Sequence, residues 1–175
     1  MALPATPKPG SIGVAHTPGA MGLLIRVGEA IRFHRGSNWN HAFIVSDQVN
    51  ENGSPYIIQA QIRGVTDSMA LEELPGTYKI LPMPKGVNRA RVLQFAKAQV
   101  GIRYGILTIA SIAIDILTWN WFPSFRAGRK QSWICSALAF ESLRFGGYLR
   151  NVVDIYEVTP AELYNFLTEQ ENHAK

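Results

Sequence analysis

Ser132–Phe145 reads SWICSALAFESLRF and is followed by Gly146 and Gly147. Ser is a favoured N-cap residue and a glycine pair a favoured stop, so the stretch predicts an α-helix with a defined start and end. With Ser132 as N-cap, Cys135 falls at N3, inside the first turn. The unpaired amides and the dipole of a helix start favour an anion, so a thiol there is expected to titrate below its ordinary value. A thiolate beside free backbone N–H groups is the arrangement that attack on an acyl carbon requires, the amides serving as an oxyanion site. Free cysteine is otherwise usually a small buried hydrophobe. The meaning of Cys135 therefore turns on whether a base faces it.

The chain has four histidines, His16, His34, His41 and His173. His173 falls in the terminal tail, His34 in the polar loop HRGSNWN, and His16 at the end of a short strand before Pro18-Gly19. His41 differs: it opens the apolar run Ala42–Val45, where an imidazole needs a polar partner. A general base also needs its tautomer fixed by a third group. The next strand offers Gln59 and Gln61, two residues apart and so on one face. Gln59, in the middle of IIQAQ, is preferred, with Gln61 as the alternative.

Around these residues the pattern is α+β, with strands in the first half and helices in the second. Ser11–Ala15, Asn40–Ser46, Pro55–Ile62 and Thr77–Met83 read as strands. The second and third are joined by a polar connection carrying Asn52-Gly53, and the last is placed at an edge by Pro82. Ala20–Phe33 and Asn88–Val100 have helical apolar spacing. Thr159-Pro160-Ala161-Glu162 combines a capping box with Pro at the first helical position, starting a helix through about Glu169. No repeat or low-complexity tract interrupts this order. At 175 residues the chain is expected to be a single domain, 1–175, with a short N-terminal segment 1–9 and a C-terminal tail 170–175.

Composition narrows the function classes. The chain is 47% hydrophobic and 17% charged, enough for a core and too little charge for a disordered chain. Mean hydropathy near zero argues against a polytopic membrane protein. A net charge of +4 permits an anionic partner without demanding one. A lone cysteine excludes an internal disulfide and any multi-cysteine metal or iron–sulfur site, and no metal or cofactor is expected. No aromatic–basic alternation suggests nucleic-acid binding. Met1–Gly10 lacks the apolar core of a signal peptide, so a cytoplasmic location is expected, or a virion-associated one if the chain is of phage origin. Ile106–Leu117 (ILTIASIAIDIL) is shorter than the ~20 apolar residues of a spanning helix. Extended to 122, it reads as a buried helix, a wall of a cleft, or a membrane-surface contact through 106–122.

The residues resemble a known family, the circularly permuted branch of the NlpC-like papain-fold superfamily (YiiX/YebB-like proteins), which includes relatives of lecithin:retinol acyltransferase. Pro9-Gly10-Ser11-Ile12 is similar to its opening P-G-D-apolar strand, with Ser11 in place of the acid. Asn38–Val45 (NWNHAFIV) resembles its S-H-x-x-apolar strand. Ile57–Ala60 with Gly64-Val65 resembles its v-x-E-A…G-V segment, Gln59 standing where an acid or other polar residue is common. Gly101–Tyr104 (GIRY) resembles a G-x-x-Y turn, Cys135-Ser136-Ala137-Leu138 the start of the nucleophile helix, and Val158-Thr159-Pro160 the late T-P helix start. The similarity spans about residues 9–168, and His before Cys is the permuted order. It implies a permuted papain-like fold, an antiparallel sheet packed against helices with the nucleophile at a helix N-terminus. It further implies Cys135 as nucleophile, His41 as base and Gln59 as its orienter. Tyr104, Ser136 and Trp119 become candidate substrate-binding residues.

The expected activity is a cysteine hydrolase (a peptidase or amidase) that cleaves an amide bond through a thioacyl-enzyme. The resemblance implies cell-wall peptides as one substrate class. Two other readings stand beside it. The same Cys–His chemistry on an acylated small molecule or lipid would make the chain an acyltransferase, thioesterase or lipid hydrolase, motivated by 106–122. A catalytically inactive binding or structural module is the third, motivated by the missing acid at Gln59. Arg126, Arg129 and Lys130, just before the nucleophile helix, offer charge to an anionic substrate or a lipid head group. Nothing in the sequence sets the oligomeric state.

Overall fold

The runs HAFIVSDQV and PYIIQAQ, rich in β-branched and aromatic residues, form neighbouring antiparallel strands at the heart of the molecule. In the computed structural model, residues 6–19, 38–61, 64–102, 134–149, 155 and 158–173 are described. The expected helix 20–33, the segment 106–122 with Trp119, the basic residues 126–130, His34 and Tyr104 lie outside them. The strands are β1 (Ile12–His16), β2 (His41–Val49), β3 (Pro55–Gln61), β4 (Gly64–Ala70) and β5 (Thr77–Ile80). A 3-10 turn, Leu71–Glu73, follows β4. The helices among the described residues are α1 (Arg89–Ala98), α2 (Cys135–Phe145) and α3 (Pro160–His173). The chain is thus α+β, and its described residues form a five-stranded sheet in the order β4-β3-β2-β1-β5, every neighbouring pair antiparallel.

Strand alternation divides the core in two. Ile12, Val14, Ala42, Ile44, Ile58 and Ala60 face one way and pack with Leu138, Leu143, Leu163 and Leu167 of the helices. Ala15, Phe43, Val45 and Ile57 face the other way, with Leu71 and Leu74. Because β2 is central and buried on both faces, Ala42–Val45 reads as an unbroken apolar run with no polar stripe. Gly13 pairs with Phe43 across β1 and β2, and the Phe43 ring lies where a Cβ on Gly13 would be. Glycine there lets the aromatic ring settle flat on the neighbouring strand.

Two elements depart from the sequence reading. β4 (GVTDSMA) was not expected as a strand, since it lacks clean alternation; it is recruited by pairing along β3. Its register with β3 slips by one residue between Ile57↔Met69 and Gln59↔Thr66, a β-bulge. The second departure is the start of α2. Its N-cap is Ile134, with no side-chain cap, so Cys135 is the first helical residue and not the third. The Ile134 backbone is extended (φ −104°, ψ 154°), so the helix begins only after it, and the Ser136 amide, one of those left over at a helix start, donates to the Cys135 sulfur.

The other helix ends follow sequence rules. Asn88 Oδ1 accepts from the Arg91 amide at 3.2 Å and caps α1. At α3 the Thr159 amide donates to Glu162 Oε2 at 2.9 Å, and the Glu162 amide to Thr159 Oγ1 at 3.1 Å, a closed capping box. That helix runs on through His173, beyond the expected Glu169 and into the expected tail. After α2, Gly147 takes a φ of 104°, and the Tyr148 and Gly147 amides return to the Leu143 and Arg144 carbonyls, a Schellman stop. β5 lies at the sheet edge, as Pro82 suggested. Among the described residues, no helix is long and apolar enough to cross a membrane.

Candidate active site

The site lies where β2 and β3 part. Their register pairs end at Ile44↔Ile58, whereas β3 and β4 stay paired through Gln61↔Gly64. His41 and Ala42 therefore lie beyond the β2–β3 ladder, and the N-terminus of α2, which packs on both strands, meets the opening. A buried strand amide must find an acceptor. The Ala42 N–H finds one in the Cys135 sulfur.

His41 opens β2 on the face of Phe43 and Val45, and Gln59 lies on the face of Ile57. The two side chains meet: His41 Nε2 donates to Gln59 Oε1 at 2.7 Å. Gln59 is almost fully buried, so its amide must be satisfied internally. Its other end is, since Nε2 donates to Met69 Sδ on β4 at 3.3 Å. With Nε2–H of His41 committed to Gln59, Nδ1 is the nitrogen available to sulfur. The Cys135 and His41 side chains share a hydrogen bond. Cys135, His41 and Gln59, drawn from α2, β2 and β3, thus form one connected line.

The electrostatics follow. Burial pushes the Cys135 thiol up, but the hydrogen bond and charge of His41, with the Ala42 and Ser136 amides, outweigh it and hold the thiol below its ordinary value. Burial likewise pushes His41 down. The hydrogen bond and charge of Cys135, and the bond to Gln59, outweigh that and raise the imidazole above its ordinary value. Each group favours the charged form of the other, the condition for a thiolate–imidazolium pair. The Cys135 N–H, at the first position of α2, has no partner within the helix, as an oxyanion donor would require.

The remaining candidates sort by position. Gln61 ends β3 opposite Gly64, and the His41 ring bonds Gln59 instead. The Ser136 residue is buried, and what it brings to the sulfur is its amide. His16 Nδ1 donates to the Asn38 carbonyl at 2.8 Å, a structural bond near the β1–β2 end. Tyr104 and Trp119 lie outside the described residues. Among the described residues, no group of three His, Cys, Asp or Glu side chains is arranged to hold a metal. Sequence reasoning missed the Ala42 amide and Met69. Backbone amides leave no trace in sequence, and Met69 reads as an ordinary apolar residue.

Ser11, in the place of an acid in the resembling family, is buried; its carbonyl accepts from the Val45 amide at 2.8 Å, which ties β1 to β2 away from the sulfur. Compared with protein-family models and with curated proteins, the chain matches none.

Proposed function

We propose that this chain is a cysteine hydrolase of permuted papain-like (NlpC-type) fold that cleaves an amide bond through a thioacyl-enzyme. The observation that carries the reading is the line from the Cys135 sulfur through the His41 ring to Gln59 Oε1, with the sulfur at the first residue of a helix. A sulfur held there for packing alone would need neither the imidazole nor two amide donors.

His41 Nδ1 takes the thiol proton and Sγ attacks the amide carbonyl, forming a C–S bond. The oxygen gains the negative charge and is met by the Cys135 N–H. Collapse breaks the C–N bond as the imidazolium gives its proton to the leaving amine. Water, deprotonated by His41, then attacks the thioacyl carbon, and the C–S bond breaks to release the acid and restore the pair. Gln59 holds the ring in the reactive tautomer throughout but stays neutral, so it adds no charge to steady the imidazolium as a carboxylate would. The resemblance makes cell-wall peptides the first substrate class to try.

The test is labelling of Cys135 by an electrophilic acyl probe. As the sole cysteine, it is the sole thiol that reacts. The wild-type chain is expected to label rapidly at neutral pH and His41→Ala slowly. Equal, slow labelling of the two would remove the proposal.

A further inference from the structure

In a regular strand, residues three apart point to opposite faces. On β4, however, Thr66 pairs directly with Gln59, and Met69 pairs with Ile57, which shares the face of Gln59. The bulge between them brings Thr66 and Met69 to one face of the sheet, beside the same glutamine. The result is the 3.3 Å bond from Gln59 Nε2 to Met69 Sδ. Met69 also packs against the apolar cluster of Phe43, Val45, Ile57, Leu71 and Leu74.

A glutamine at this position has a difficulty that a carboxylate lacks. Its two ends differ chemically, one accepting and one donating, while being nearly identical in shape. With Oε1 toward His41, Gln59 selects the Nε2–H tautomer and leaves the Nδ1 lone pair for the thiol proton. With Nε2 toward His41, it would select the Nδ1–H tautomer, which cannot accept that proton. A thioether sulfur only accepts, so it favours the amide's NH2 end beside it and turns the oxygen toward the ring.

We propose that Met69 is a positioning residue of the active site: its sulfur sets the orientation of the Gln59 amide and, through it, the tautomer of His41. The role rests on the cysteine-hydrolase reading for its purpose, but not for its geometry. The bulge in β4 is the device that delivers the sulfur.

The test uses the full chain with 15N-labelled histidine. In a Cys135→Ala background, at a pH where the His41 ring is neutral, nitrogen chemical shifts give the tautomer ratio. The parent is expected to hold His41 as Nε2–H. Met69→Leu, which keeps the bulk and removes the acceptor, is expected to raise the Nδ1–H share. With Cys135 present, the same substitution is expected to slow iodoacetamide alkylation at pH 7 roughly two- to tenfold, the range of one neutral hydrogen bond. Met69→Gln, which supplies an amide oxygen, is expected to restore both. Norleucine in place of methionine is the second way to remove the sulfur and is read identically if Met69→Leu fails to fold. An unchanged tautomer ratio on loss of the sulfur overturns the proposal, and so does a Met69→Gln chain that behaves like Met69→Leu. Failure of the hydrolase reading looks different: His41→Ala would alkylate like wild type, whatever the tautomer ratio.

Discussion

The two ends of β2 are built from similar material and do opposite things. At its far end the strand passes through Asp47–Val49, all exposed, into a turn where Asn50 and Asn52 both donate to Glu72 Oε1 and Asp47 pairs with Lys97. Every polar group there has water as an alternative partner. At its near end, Asn40 and Ala42 are buried, β3 has moved away, and polar groups bond a sulfur, a neighbouring side chain or one another. The same kind of hydrogen bond tidies a turn at one end and joins a sulfur, an imidazole and a glutamine at the other. The contrast lies in burial: water competes for the exposed groups at the turn, and competes less around the sulfur, where Asn40, Ala42, Gln59 and Cys135 are buried and His41 is half-buried.

Substitutions at the near end should therefore matter far more, beginning with His41→Ala. If the imidazole is the base, amide turnover should fall by about 10²- to 10⁴-fold. The pH dependence has a definite sign. Burial of Cys135 persists when His41 is removed, while the largest opposing influence is lost, so the thiol midpoint moves up and alkylation begins at higher pH. A midpoint that stays put would break the comparison at its strongest point.

Asn40→Ala comes next. Asn40 Oδ1 accepts from the Thr17 amide and hydroxyl at 2.9 and 3.0 Å, and Nδ2 donates to the Thr17 carbonyl at 2.8 Å. Losing all three beside His41 should cost about 1–3 kcal/mol in urea unfolding. Gln59→Leu should retain the fold and lower turnover roughly tenfold, about one hydrogen bond's influence on the ring. Gln59→Glu sharpens the point: a carboxylate beside the ring should raise the His41 titration further and carry the reactive pair to higher pH.

The smallest effect belongs to the far end. Lys97 holds the Asp47 carboxyl below its ordinary range. A lowered folded-state value stabilises above the unfolded value and is lost as pH falls through the folded one. Asp47→Asn should therefore slightly flatten the acid side of the stability curve. Both partners are more than a third exposed, and the change at neutral pH should be below about 0.5 kcal/mol. A larger loss there than at Asn40 would reverse the contrast between the two ends.

Much of this arrangement could be read from local pattern. Ala42–Val45 and Ile57–Ile58 announce strands by composition, and Thr159–Glu162 announces a helix start by capping chemistry that closes within four residues. His41 stood out because an imidazole next to an apolar run needs a partner, and Gln59 because it lay mid-strand in the next run. β4 escaped notice because its residues alternate poorly and the order in GVTDSMA comes from pairing with β3. The two-residue shift at the start of α2, from Ser132 to Ile134 as N-cap, leaves no mark in the sequence either, since Ile134 caps the helix without a side-chain bond.

The sequence by itself determined the strand and helix material, the lone thiol, and which imidazole and amide stood in unusual surroundings, because each of these is a matter of residue type and short-range spacing. Only the tertiary structure decided that the thiol begins its helix, that Gln59 and not Gln61 bonds His41, that the Ala42 amide meets the sulfur, and that the Met69 sulfur meets Gln59. Those outcomes depend on where two strands separate and where a third bulges. Such features arise from packing between segments distant in the chain, where no local pattern reaches.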